Sequence, residues 1–126
     1  MTLFHAVLLI DHHEARVLQF DAEHVQASRV KAHRHLTHQH KSAVRTEHEF
    51  FGEVCDALDG ITEVLVTGGH TAIADFERYA HKHRPAIARH LVGHEMVDKP
   101  TEPQLVAMAR RWFLKHDRMA GVPTPT

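Results

Sequence analysis

Val7-Leu-Leu-Ile-Asp-His-His-Glu-Ala-Arg-Val-Leu-Gln-Phe20 is the stretch from which the rest of the chain can be read. It belongs to a mostly aliphatic run from Phe4 to Ile10, a polar break at Asp11-His12-His13-Glu14, and a second apolar series from Ala15 to Phe20. Two apolar runs of strand length around a short polar break predict a β-hairpin. In that hairpin Asp11 organises the turn by accepting backbone amides. Downstream, Val25, Ala27 and Val30 alternate with polar residues from His24 to Ala32, as in a third, half-exposed strand.

From Ala43 to Asp59 the spacing becomes helical: Val44, Phe50, Phe51, Val54, Ala57 and Leu58 share one face, and Glu47, Glu49, Glu53 and Asp56 the other. Ser42 is the expected N-cap and Gly60 the terminator. Ile61 to Thr67 reads as a short buried strand, followed by Gly68-Gly69 and a second helix from about Thr71 to His83, stopped by Arg84-Pro85. Ile87 to Val97 reads as a further strand, interrupted by Arg89, His90 and His94. Thr101-Glu102-Pro103-Gln104 is a capping box, and Leu105, Met108, Ala109, Trp112 and Phe113 form the apolar stripe of the last helix. The order βββαβαβα implies an α/β fold, a mixed sheet packed with helices.

The chain has 126 residues, enough for one core, so a single domain is expected over 1–118 with a disordered tail at 119–126. With 43% apolar and 25% charged residues and a net charge of -1, it offers no global attraction to nucleic acid or membrane. Any such attraction must be local. Fifteen histidines give the chain a net charge that should rise steeply between pH 7 and 5. Cys55 is the sole cysteine, so an internal disulfide and a four-thiolate zinc site are excluded, and its place on the apolar helix face makes it a core residue. No apolar stretch is long enough to span a bilayer, and Met1-Thr-Leu-Phe-His5 lacks the pattern of a signal peptide; a cytoplasmic protein with no membrane partner is expected.

Local attraction is concentrated at residues 31–45, which carry Lys31, Arg34, Lys41 and Arg45, four histidines and no carboxylate. The segment falls between the third strand and the first helix, so it reads as a loop. Such a loop suits three partners: water, a polyanion or a metal ion. Four fixed cations fit phosphates, with weak base selectivity because aromatic and edge-reading groups are missing. His33, His35, His38 and His40 form an HxHxxHxH array able to offer imidazoles to Zn²⁺ or Ni²⁺, although the neighbouring cations oppose it and no thiolate or acidic residue supports it.

Taken together, these elements resemble the central domain of archaeal and eukaryotic class I peptide-chain release factors and of the ribosome-rescue protein Pelota. The hairpin with Asp11 and Glu14-Ala-Arg16 is similar to that domain's opening. Lys41-Ser-Ala-Val-Arg45, leading into Glu49-Phe-Phe-Gly-Glu-Val54, is similar to the Gln-Ser-Ala-Leu-Arg that follows the release-factor loop, and Leu65-Val-Thr-Gly-Gly69 to the next strand and turn. The likeness runs over roughly residues 5–115. It implies a ribonuclease-H-like architecture and a link to the translation machinery, as in bacterial proteins that carry such a domain alone.

Release factors place Gly-Gly-Gln in this loop, where the glycines permit close backbone approach and the glutamine helps position water at the peptidyl-tRNA ester. This chain has His38-Gln39-His40-Lys41 there, with no glycine between Ala32 and Phe51, and Lys41 stands where the glutamine would fall. The resemblance therefore implies ribosome or tRNA binding without hydrolysis, through Lys31, Arg34, His38, Gln39, His40, Lys41 and Arg45. Two alternatives remain: a divergent peptidyl-tRNA hydrolase using Gln39, and a histidine-rich Zn/Ni-binding protein. A homodimer through exposed strand edges is a further candidate.

Other clusters read as structural. His81 and His83 complement the dipole at a helix end. His90 and His94, on one strand, would lie about 13 Å apart, too far for one ion. His12-His13 is an exposed turn. A two-metal nuclease would need Asp11 joined by Asp75 or Asp98. Gly68-Gly69-His70-Thr71 is a tight strand-to-helix connection that could also hold an anion.

Overall fold

A computed structural model describes residues 4–32 and 41–120. The strands are β1 (His5–Ile10), β2 (Glu14–Phe20), β3 (Val25–Lys31), β4 (Glu63–Gly68) and β5 (Leu91–Met96). The helices are α1 (Lys41–Ala57), α2 (His70–His83), a short α3 (Pro85–Ala88) and α4 (Glu102–Ala120). One five-stranded sheet has the order β3-β2-β1-β4-β5. β1, β2 and β3 are antiparallel neighbours, whereas β4 runs parallel to β1 and β5 parallel to β4.

The sheet is central because its middle strands are apolar on both faces. Ala6, Leu8, Ile10, Val64 and Val66 point to one side, where Phe50, Phe51 and Val54 of α1, Leu58 just after it, and Ile73, Phe76 and Ala80 of α2 cover them. Val7, Leu18, Phe20 and Leu65 point to the other, against Leu105, Val106, Ala109 and Phe113 of α4. The result is the three-layer, mixed-sheet architecture of the ribonuclease-H-like class. β3 forms one edge and is largely exposed, as its alternation with polar residues foretold.

Two aspartates shape the antiparallel ribbon in the same way. Asp11 Oδ1 accepts the amides of His13 and Glu14, each at 2.7 Å, and Asp21 Oδ1 accepts those of Glu23 (2.8 Å) and His24 (2.7 Å). The expected Asp11 turn is therefore present. So is the capping box: Thr101 N donates to Gln104 Oε1 at 3.0 Å, and Gln104 N to Thr101 Oγ1 at 3.3 Å.

Two glycines are required by close approach. At Gly68 (φ 143°) a Cβ would lie 2.3 Å from the Ile10 carbonyl oxygen, and at Gly93 it would lie 2.3 Å from the Trp112 ring. The second contact lets α4 settle directly onto β5.

The strand expected over Ile87–Val97 is corrected. Pro85 opens the four-residue α3, which buries Ile87 and Ala88, and β5 begins only at Leu91. Proline fits the first helical position because its fixed φ is already helical and its missing N–H is not needed there. His90 thus precedes the strand and donates from Nδ1 to the Thr62 carbonyl at 2.9 Å, while His94 lies within β5. The expected pair on one strand does not form. Helix α4 continues through Ala120; the remainder of the expected tail, 121–126, lies outside the described residues. Among the described residues no helix is long and apolar enough to cross a membrane.

Candidate functional site

The carboxyl ends of β1, β4 and β5 meet at one end of the sheet, where open α/β folds commonly place their ligands. Lys31 of β3 pairs in register with Glu14 of β2, and Ala32 N donates to the His13 carbonyl at 2.9 Å. Chain leaving β3 therefore starts beside the Asp11–Glu14 turn. Lys41 and Arg45 fall on the first turns of α1. His33, Arg34, His35, His38, Gln39 and His40 lie outside the described residues.

The described part of this end mixes histidines with balanced charges. His12 Nε2 lies 3.2 Å from Asp75 Oδ2, tying the hairpin tip to α2, and Asp75 also meets Arg78 Nη1 at 3.4 Å. Glu14 Oε1 is flanked by Arg29 Nε at 2.6 Å and Arg16 Nε at 3.7 Å. A cleft of about 370 Å³ opens between α2 and β5, lined by His70, Ile73, Glu77, His94 and Met96 among others. His94 Nδ1 sits 3.3 Å from Glu77 Oε1 within it. Lys31, His12, His13, His70 and His94 are all exposed. Among the described residues Asp11, Asp75 and Asp98 form no cluster of metal-ligand spacing, so the carboxylate set of a two-metal nuclease is not assembled.

At the opposite end of the sheet is a constellation that sequence reasoning missed. Parallel pairing places His5 of β1 beside Glu63 of β4, and α4 brings Asp117 over both. His5 Nε2 lies 3.0 Å from Glu63 Oε1 and 2.9 Å from Asp117 Oδ2. All three residues are buried, and among the described residues they form the one His/Cys/Asp/Glu group whose ligand atoms, all within 4.8 Å of one another, could hold a metal. The His5 ring stacks on Phe113 at 4.3 Å, with the Phe4 edge at 4.7 Å.

Burial sets the electrostatics here. Desolvation, reinforced by the hydrogen bond and charge of Asp117, pushes Glu63 up to about 7. Desolvation also holds the His5 imidazole below its usual value, outweighing the pull of Asp117 toward the charged form. One sequence signal marked this site: Asp117 continues the series Leu105, Ala109, Phe113 at four-residue spacing, a carboxylate on an apolar stripe. Cys55 behaves as expected of a core residue, fully buried and with its thiol raised to about 11 by desolvation.

This topology, three antiparallel strands followed by two parallel ones with helices on both faces, is that of a domain found in release factors and Pelota. The solved structure of Archaeoglobus fulgidus Pelota superposes with a TM-score of 0.63 at 19% identity, over 93% of this chain and 35% of that one. Archaeal translation termination factor aRF1 superposes with a TM-score of 0.54 at 11% identity, over 93% of this chain and 41% of that one. Saccharomyces cerevisiae Dom34, a translation termination-like factor involved in RNA quality control pathways and interacting with Hbs1, gives 0.52 at 9% identity, over 92% of this chain and 41% of that one. The chain thus spans about a third to two-fifths of the length of these proteins. No family model and no curated protein matches the sequence.

Proposed function

We propose that this protein is a translation-associated factor that binds the ribosome or tRNA without hydrolysing peptidyl-tRNA. The observation that carries the reading is the fold, shared over about nine-tenths of the chain with proteins of translation termination and RNA quality control. Lys31, Arg34, Lys41 and Arg45 supply phosphate contacts, with His38, Gln39 and His40 between them. Support comes from the anchoring of the segment: Lys31 ends β3 and Lys41 opens α1, and the carboxyl end of the sheet where β3 finishes is where open α/β folds commonly bind ligands. A cationic segment free of carboxylates binds phosphate through counterion release, independently of base identity.

Binding without hydrolysis follows from chemistry. An ester-cleaving loop of the release-factor kind needs backbone that can approach the substrate without side chains, and the segment carries no glycine. The test has two arms. Purified protein should sediment with ribosomes, and substitution of Lys31, Arg34, Lys41 and Arg45 by Ala should release it. The same protein should leave the ester of peptidyl-tRNA intact at the spontaneous rate. Unchanged sedimentation of the substituted protein overturns the phosphate contact, and Gln39-dependent cleavage overturns the non-hydrolytic reading.

A further inference from the structure

His5, Glu63 and Asp117 lie at the sheet end opposite the carboxyl ends of β1 and β4 and take no part in the proposed function. We propose that these three residues bind one Zn²⁺ ion that ties β1, β4 and α4 together, with a non-protein donor in the fourth position.

The geometry carries the proposal. A tetrahedral zinc site with bonds of about 2.0–2.1 Å to nitrogen and oxygen spaces its donor atoms roughly 3.3 Å apart. His5 Nε2 lies 3.0 Å from Glu63 Oε1 and 2.9 Å from Asp117 Oδ2, and the ligand atoms of the three residues all lie within 4.8 Å of one another. The two His5 separations fall a few tenths of an ångström short of the tetrahedral value, so small outward displacements admit the ion.

A second observation points to a ligand. Asp117 is fully buried, yet its Oδ1 has no hydrogen-bond partner. Burying a polar atom without a partner is costly, and a cation bound by both oxygens of Asp117 removes that cost. His5 Nε2 faces carboxylate oxygens from two residues, but an imidazole nitrogen carries at most one hydrogen and cannot point it straight at both. A cation between the donors satisfies both oxygens and the nitrogen lone pair together.

The donor chemistry selects the ion. One imidazole and two carboxylates suit zinc, whereas calcium and magnesium require six or more oxygen ligands. Two carboxylates also balance the ion's charge, leaving a neutral centre in an apolar setting. The imidazole is held in place by its stack on the Phe113 ring.

The test must separate this site from the HxHxxHxH array. The full chain without an affinity tag, carrying His33→Ala, His35→Ala, His38→Ala and His40→Ala, is stripped with chelator and titrated with ZnCl₂ by calorimetry. One equivalent should bind, and the melting temperature should rise by roughly 10 °C when free zinc is about 100-fold above Kd. Adding Asp117→Asn should abolish that uptake. Because this variant could also lose the fold, the folded four-alanine protein is loaded with Co²⁺ as well. An intense tetrahedral visible band, with X-ray absorption showing one imidazole and oxygen donors, is the expected result. No zinc uptake by the four-alanine protein, full uptake by a folded Asp117→Asn variant, or a weak octahedral cobalt spectrum overturns the proposal.

Discussion

His5 Nε2 and Asp117 Oδ2 stand 2.9 Å apart across 112 positions of sequence, joining the first strand to the last helix inside the core. The contact makes α4 part of the sheet's polar interior as well as its apolar cover. Replacing His5 with Ala leaves Glu63 and Asp117 facing each other without an imidazole and removes the stack on Phe113. In chelator, His5→Ala should cost about 1–3 kcal/mol, the scale of leaving buried acceptors without their hydrogen-bond partner. Asp117→Asn, which keeps the shape, should cost less. Urea unfolding should show a lower midpoint for His5→Ala with an unchanged slope; an unchanged midpoint would sink the expectation.

Glu63 gives the metal-free protein a defined pH dependence. Its folded pKa, about 7, lies above the ordinary 4.5, so the folded state holds this proton to higher pH than the unfolded state does. The stability this proton confers is fully present below about pH 4.5 and is lost as pH rises through about 7. His5 is shifted the other way: its contribution is present above the usual 6.5 and lost as pH falls through its lowered folded value. Glu63→Gln cannot titrate, so its advantage over the natural protein should grow between pH 5 and 7 and level off above 7. Denaturation in chelator at pH 5, 6, 7 and 8 checks this; two parallel profiles would contradict it.

Gly93 is the floor on which Trp112 rests. Gly93→Ala would drive a methyl group to 2.3 Å from the indole, too close for any rotamer adjustment short of moving the ring. The expected cost is about 1–3 kcal/mol, the usual range for overpacking. Trp112 is the only tryptophan, so a change in emission accompanying the loss of stability reads this contact directly. Equal stability with an identical spectrum would show that α4 does not sit on β5 as described.

Cys55 should be inert in the native protein. Burial denies access and raises its thiol to about 11, so little thiolate forms at pH 8. A thiol-reactive chromogen should label it slowly in native buffer and promptly in denaturant. Complete labelling within seconds of mixing in native buffer would contradict the packing of α1.

The fold was legible where local chemistry and periodicity agree. Two apolar runs, Phe4–Ile10 and Ala15–Phe20, with Asp11 between them specify the hairpin. The stripe from Leu105 to Phe113 behind the Thr101–Gln104 capping box specifies α4. The reading failed after Arg84, where Ile87 and Ala88 look like the start of a strand but are buried by a single helical turn that Pro85 initiates. Four residues are too few for periodicity to distinguish helix from strand. The basic segment was conspicuous because its charges are close together in sequence. The His5–Glu63–Asp117 group was not, because its members become neighbours only through the parallel register of β1 with β4 and the docking of α4. Asp117 alone left a trace, as a carboxylate at the next turn of the apolar stripe.

Ribosome association as a function of salt tests the central claim most directly. The natural protein and the variant with Lys31, Arg34, Lys41 and Arg45 replaced by Ala would be sedimented with ribosomes over a range of salt concentrations. The account predicts tight association of the natural protein at low salt, falling as salt rises. The variant should bind more weakly and with a clearly shallower dependence, its log–log slope reduced by roughly 0.7–0.9 for each phosphate it no longer neutralises. Identical curves for the two proteins, or no association of the natural protein at low salt, would contradict it.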